Sequence, residues 1–179
     1  RAKIEEMEYH LFKEISQKIK ENKVILTRLA EKLAYLDVMV SFATVAVEND
    51  YVKPEINNDF SMKIVEGRHP VVEKLIGRTD FVSNNTELSD KERFIVLTGP
   101  NMAGKSTYMK QIALISIMAQ MGSFVPAKEA KLSIIDKYLT RIGASDDILT
   151  GQSTFMIEMS ETSNILNNAT ERSLIILDE

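Results

Sequence analysis

The chain has 179 residues, 44% hydrophobic and 27% charged, which suits one globular domain with a sizeable core and room for an appendage rather than a disordered segment. Its 22 basic and 26 acidic side chains give a net charge of -4, so it carries no broad electrostatic footprint for nucleic acid. Cysteine is absent, which excludes disulfides and thiolate metal sites, and the two histidines, His10 and His69, form no metal-ligand cluster. No apolar run is long enough to span a membrane, and the opening Arg1–Glu6 does not read as a signal peptide, so a cytoplasmic setting is the simplest expectation.

The first fifty residues contain neither Gly nor Pro. Ile4, Met7, Leu11, Ile15 and Ile19 share one helical face, and Asn22 is placed to break that helix. A second series, Leu26, Leu29, Leu33, Leu36, Val40, Ala43 and Val47, steps by threes and fours, which predicts a packed or coiled helix pair. Asn49-Asp50 through Pro54 ends the helical region. Ser61 to Glu66 reads as a strand, and Gly67-Arg68-His69-Pro70 as a turn whose proline suits the first position of a short helix through Leu75. Gly77 to Asp90 is loop-rich with some extended backbone. Phe94-Ile95-Val96-Leu97 has the wholly apolar character of a buried parallel strand. A helix is predicted from Lys105 to Met121, a strand from Ile135 to Ile142, a polar turn from Gly143 to Gly151, a helix from Met156 to Ala169, and a buried strand over Leu174–Leu177. Alternation of strand and helix in this later part implies an α/β layer architecture.

Between the apolar run and the helix at Lys105 lies Gly99-Pro100-Asn101-Met102-Ala103-Gly104-Lys105-Ser106, which matches G-x-x-x-x-G-K-[ST]. The glycines allow the backbone to curl so that successive N–H groups converge on phosphate oxygens, and the following helix turns its positive end to the same anion. Lys105 offers a mobile positive charge to the outer phosphates of ATP, and the Ser106 hydroxyl can ligate Mg²⁺. Downstream, Leu174–Leu177 runs into Asp178-Glu179. At the carboxyl end of a parallel strand these carboxylates face the ligand crevice. Asp178 then suits Mg²⁺, usually through water, and Glu179 suits orienting and polarising an attacking water.

Taken together these residues are recognisable. The stretch Gly99–Met109 resembles the nucleotide loop of the MutS family of DNA mismatch-repair ATPases. The likeness continues through Glu66–Val72, Gly122–Ala127, Arg141–Asp147 and Gly151–Met159, so it covers nearly the whole chain with specific motifs. The resemblance implies an ABC-type ATPase working as a dimer, with ATP or ADP and Mg²⁺ as cofactors. It implies that Phe81 stacks on adenine with Val82 beside it, that Asn101 sits near the γ-phosphate, and that Thr107 belongs to the nucleotide loop. It also implies that Ser153 and Thr154 contact the nucleotide of the partner subunit. From the residues alone, Phe81 could equally be a core anchor, and Ser153 and Thr154 are ordinary caps for the helix that follows. Two departures stand out: Ala103 occupies a place where many members have a third loop Gly, which matters if that residue needs positive φ, and Gln152 replaces a basic residue common beside the signature Ser.

The expected fold class is therefore α/β: the first part of an ABC-type P-loop ATPase domain over 56–179, preceded by the end of a helical lever over 1–55. The family's switch histidine, its C-terminal helix-turn-helix and its mismatch-reading domain are not among these residues. Phe12-Lys13-Glu14 superficially echoes the family's Phe-x-Glu mismatch reader, but it sits in an amphipathic helix. Expected partners are mismatched double-stranded DNA, held through parts outside this chain, a second MutS subunit, and a downstream repair factor of the MutL type. Three alternatives compete with this reading. A phosphotransferase would need an acceptor pocket and an Arg-rich lid; a chromosome-maintenance ATPase of the coiled-coil kind would carry Leu-Ser-Gly-Gly; a helical interaction module would hold nucleotide only as a structural ligand.

Overall fold

A computed structural model describes residues 2–142 and 154–178. The chain divides into two compact units, 1–44 and 45–179.

The first unit is helical. Helix α1 (Ala2–Glu21) and helix α2 (Lys23–Glu48) are separated at Asn22, whose side-chain amide donates to the Lys18 carbonyl at 2.9 Å, in competition with the helical ladder. The break expected at Asn22 is thus present. The helix pairing is not: α1 and α2 do not pack along one another, and Leu26, Leu29, Leu33 and Leu36 all remain exposed. The three-four spacing specifies an apolar stripe on α2, but a stripe does not specify which surface covers it.

The second unit is mixed α/β. Strands β1 (Glu55–Asn57), β2 (Met62–Gly67), β3 (Asn84–Leu88) and β4 (Glu129–Ser133) form a sheet in the order β1-β4-β2-β3. β1 runs parallel to β4, and β2 antiparallel to both β4 and β3. A short helix α3 (Val72–Ile76) follows β2, so Pro70 lies just ahead of the helix rather than at its first position. Helix α4 (Lys105–Gln120) presents Ile112, Ile115 and Ala119 to a core that includes Ile64, Val125 and Leu132. That three-four spacing on α4 is answered by packing, and Ile64 and Ile115 have no exposed surface. Strand β5 (Lys137–Ile142), helix α5 (Thr154–Asn168) and strand β6 (Ser173–Asp178) make a parallel β-α-β unit, with Arg141 opposite Leu177 and Ile142 opposite Asp178.

Two short strands, β1 and β4, escaped the sequence reading because Glu55–Asn57 and Glu129–Ser133 are charged and only three and five residues long. The expected strand at Phe94–Leu97 is absent. Phe94 is 82% exposed and Val96 72%, and the segment joins no ladder. An apolar run supplies a strand's composition, but its hydrogen bonds must come from neighbouring edges, and none among the described residues pairs with it. Arg93 and Arg172 instead stack on the Phe60 ring, 4.3 and 4.6 Å from its centre, and together with β6 the 94–97 segment lines a cavity of about 650 Å³.

Candidate nucleotide site

The phosphate loop joins this unpaired segment to α4. Three of its residues have positive φ: Gly99 at 153°, Met102 at 64° and Gly104 at 88°. Neither glycine has any atom within 4 Å of where a Cβ would stand, so it is the backbone conformation at Gly104, not space, that selects glycine there. Ala103 is not among the positive-φ residues, which resolves the departure from the family pattern: the strained non-glycine position is Met102, and Ala103 carries no such penalty.

Gly104 is the N-cap of α4 and offers no side chain to its first N–H groups. Uncapped donors and the positive end of a helix dipole make an anion site. The Lys105 ammonium turns back on the loop, donating to the carbonyls of Gly99 at 2.7 Å and Pro100 at 3.1 Å. Carbonyl dipoles hold a cation only loosely compared with a phosphate, so this Lys is free to exchange partners. Lys105 and Asp178 line the same cavity, which brings the loop and the end of β6 to one space.

Tyr108, one turn beyond Lys105, hydrogen-bonds Thr86 Oγ1 at 2.9 Å and donates to the Asn85 carbonyl at 3.1 Å. The phenol therefore ties the lysine-bearing helix to β3, a few residues after Phe81 and Val82. Phe81 is half-buried and Val82 is 80% exposed. Thr154 opens α5. Ser153 and Glu179 lie outside the described residues, as do Gln152 and the turn at 143–151.

The Gly67–Pro70 turn proves to be a knot. Arg68, 8% exposed, donates to Glu73 at 2.6 Å and to the carbonyls of Asn49 and Asp50 at 3.2 and 3.3 Å. It thereby caps the end of α2. His69 Nδ1 accepts the N–H groups of Val71 and Val72, each at 3.3 Å, and so caps α3. Burial lowers the His69 pKa, and burial followed by the Glu73 charge pushes Tyr51 up to about 12. This network is silent in the sequence, because Glu73 in a short helix and Asn49 just past the end of α2 are ordinary residues until the fold puts them beside Arg68.

Among the described residues Arg141 is the other buried Arg or Lys, 7% exposed, with Nη1 on the Asp178 carbonyl at 2.8 Å and Nη2 on Glu158 at 2.8 Å. Its place near the end of a predicted strand, at the head of the Arg141–Asp147 segment, did not disclose these partners.

An uncapped helix N-terminus behind a left-handed glycine, with a lysine beside it, is an arrangement suited to an anion. Comparison with known proteins narrows this. Residues 95–179 match the family described as MutS domain V. The chain is 60% identical over 179 residues to the DNA mismatch repair protein MutS of Clostridium botulinum (strain Eklund 17B / Type B), covering 99% of this chain and 19% of that protein. It is 59% identical to the MutS of Clostridium beijerinckii, again over 99% of this chain and 19% of the relative. With the MutS of Caldicellulosiruptor bescii it shares 57% identity over 178 residues, 99% of this chain and 21% of the relative. The chain belongs to the MutS family, and it spans about a fifth of the length of these relatives.

Proposed function

We propose that the chain is the ATP-binding portion of a mismatch-repair ATPase: the end of a helical lever over 1–55 and the first part of an ABC-type P-loop ATPase domain over 56–179. The observation that carries this reading is the uncapped start of α4 behind a left-handed Gly104, with Lys105 and Asp178 on one cavity. Backbone N–H groups of the 99–107 loop, Pro100 excepted, cradle the phosphates, Asn101 lies near the γ-phosphate, and Lys105 leaves its carbonyl partners to neutralise the outer phosphates. Phe81 and Val82 receive the adenine.

The donor set suits magnesium. Ser106 and Asp178 offer hard oxygens, and among the described residues no group of three or more His, Cys, Asp or Glu forms a cage of its own. That fits a cation which takes its other ligands from triphosphate and water. Bound there, the ion neutralises charge on the triphosphate. Glu179 orients the attacking water and accepts its proton, and Ser153 and Thr154 reach the nucleotide of a second subunit. In the whole protein this cycle is coupled to recognition of mismatched double-stranded DNA, to clamp movement and to recruitment of a MutL-type factor in the cytoplasm. Among the described residues, no helix is long and apolar enough to cross a membrane. The 179 residues alone bind nucleotide better than they turn it over, since groups supplied by a partner and by later parts of the family are required for hydrolysis.

Calorimetric titration tests the reading. ATP with Mg²⁺ binds, and Phe81→Ala weakens ATP by about 1–3 kcal/mol while leaving inorganic tripolyphosphate unchanged, because a stacking contact is lost and the phosphate cradle is not. Equal weakening of both ligands would remove Phe81 from the adenine site, and no binding of ATP by the parent chain would end the reading altogether.

A further inference from the structure

Arg141 occupies the penultimate position of β5, and its guanidinium faces three ways. Nη1 donates to the Asp178 carbonyl at 2.8 Å, Nη2 pairs with Glu158 at 2.8 Å, and Nε points to Glu161 at 3.8 Å, too far for a hydrogen bond. Glu158 and Glu161 are three residues apart on α5, hence on one face of that helix. None of these bonds is needed to pair the strands, since the β5–β6 ladder is already complete through Ile142 opposite Asp178. Nor does packing require a charge here. An apolar side chain of similar volume would hold helix to sheet without the desolvation that a buried guanidinium suffers. What a guanidinium does and an apolar side chain cannot is fix the backbone of one residue relative to a carboxylate on another element.

We propose that Arg141 is a positioning residue that sets the end of β6, and with it the Asp178 carboxylate, relative to α5. The inference rests on the reading that Asp178 serves magnesium. Thr154, at the start of α5, is four residues before Glu158, roughly 6 Å along the helix axis. A displacement of α5 driven from its N-terminal end therefore reaches the Asp178 backbone through one side chain. The magnesium requirement of this subunit is then sensitive to whatever engages the start of α5.

The test measures ADP affinity in the full-length protein at stepped Mg²⁺ concentrations and in EDTA, for the parent and for Arg141→Met, Arg141→Lys and Glu158→Gln. Arg141→Met raises the Mg²⁺ concentration at half-effect roughly tenfold, the loss of one charged hydrogen bond, with affinity in EDTA unchanged. Arg141→Lys recovers part of the shift, because an ammonium reaches the carbonyl or Glu158 but does not bridge them as a fork does. Glu158→Gln, altering a partner that is 38% exposed, gives a smaller shift of the same sign and stands in if Arg141→Met does not fold. Folded Arg141→Lys and Glu158→Gln proteins with the parent's Mg²⁺ dependence overturn the proposal, as does an equal loss of affinity with and without Mg²⁺, the signature of a merely structural role. A parent protein whose nucleotide binding ignores Mg²⁺ overturns the magnesium reading and this proposal together; a responsive parent with indistinguishable variants overturns this proposal alone.

Discussion

The second unit contains two turns that each pair glycine with a basic side chain, and they resolve in opposite ways. At Gly67–Pro70 the cation is enclosed: Arg68 meets a buried carboxylate, 4% exposed, and two helix-terminal carbonyls. At Gly99–Lys105 the cation rests on two carbonyls of its own loop, and the helix behind it begins without a cap. The first arrangement ties the cation to a buried carboxylate and to carbonyls at a helix end, whereas the second leaves helix N-terminal donors open to water or to an anion. Burial with a matched partner marks a cation that holds the fold, and exposure on weak partners marks one that is free to act on a ligand.

Three substitutions or conditions would break or sharpen this contrast. The largest effect is expected at the closed turn. Arg68→Met leaves the Glu73 carboxylate buried and unpaired, and lowers the unfolding free energy in urea by about 3–5 kcal/mol. The folded fraction should still bind nucleotide with the parent's affinity, and pairing the change with Glu73→Gln should restore part of the stability. A loss of affinity beyond the loss of folded protein would make Arg68 part of the ligand site. Next comes the open turn. Lys105→Ala removes charged hydrogen bonds to phosphate, weakening ATP by about 1.5–3 kcal/mol, or roughly 10- to 100-fold, in equilibrium titration. Its effect on the unfolding midpoint should be negligible, since the carbonyls it leaves are free to bind water. A large fall in stability would instead show the two turns to be alike.

The smallest effect is pH-dependent and again belongs to the closed turn. Burial lowers the His69 pKa in the folded chain, so the unfolded chain takes up the proton first. Stability is then complete above the unfolded value, about 6.5, and declines as pH falls from there toward the folded value. Protonation would also remove the acceptor that caps α3. Unfolding curves between pH 8 and 5 should therefore converge for the parent and His69→Asn at the acid end, the asparagine supplying an acceptor that does not titrate. Parallel curves would exclude His69 as the source of the slope.

How far the sequence carried depended on the range of the interactions involved. The local conformation of the 99–106 loop was legible, because its glycines, its lysine and the start of α4 act on one another within a few residues. The conformations at Gly99 and Gly104 and the uncapped helix follow from that local order. The β-α-β unit from β5 to β6 was legible for the same reason, through the spacing of apolar residues. Phe94–Leu97 was not. Its composition is that of a buried strand, but a strand exists only with a partner edge, and among the described residues none pairs with it. The helix stripe of α2 failed in the same way, since periodicity identifies a face but not its cover. Arg68 and Arg141 were visible as letters and silent as to role. Their meaning comes from Glu73, Asn49, Asp178 and Glu158, residues that only the tertiary structure brings within hydrogen-bonding distance. By itself the sequence determined the local form of the 99–106 loop, because its φ angles are set by its own glycines. Only the fold decided which cations are locked and which remain free, because a buried charge is defined by partners far away in the chain.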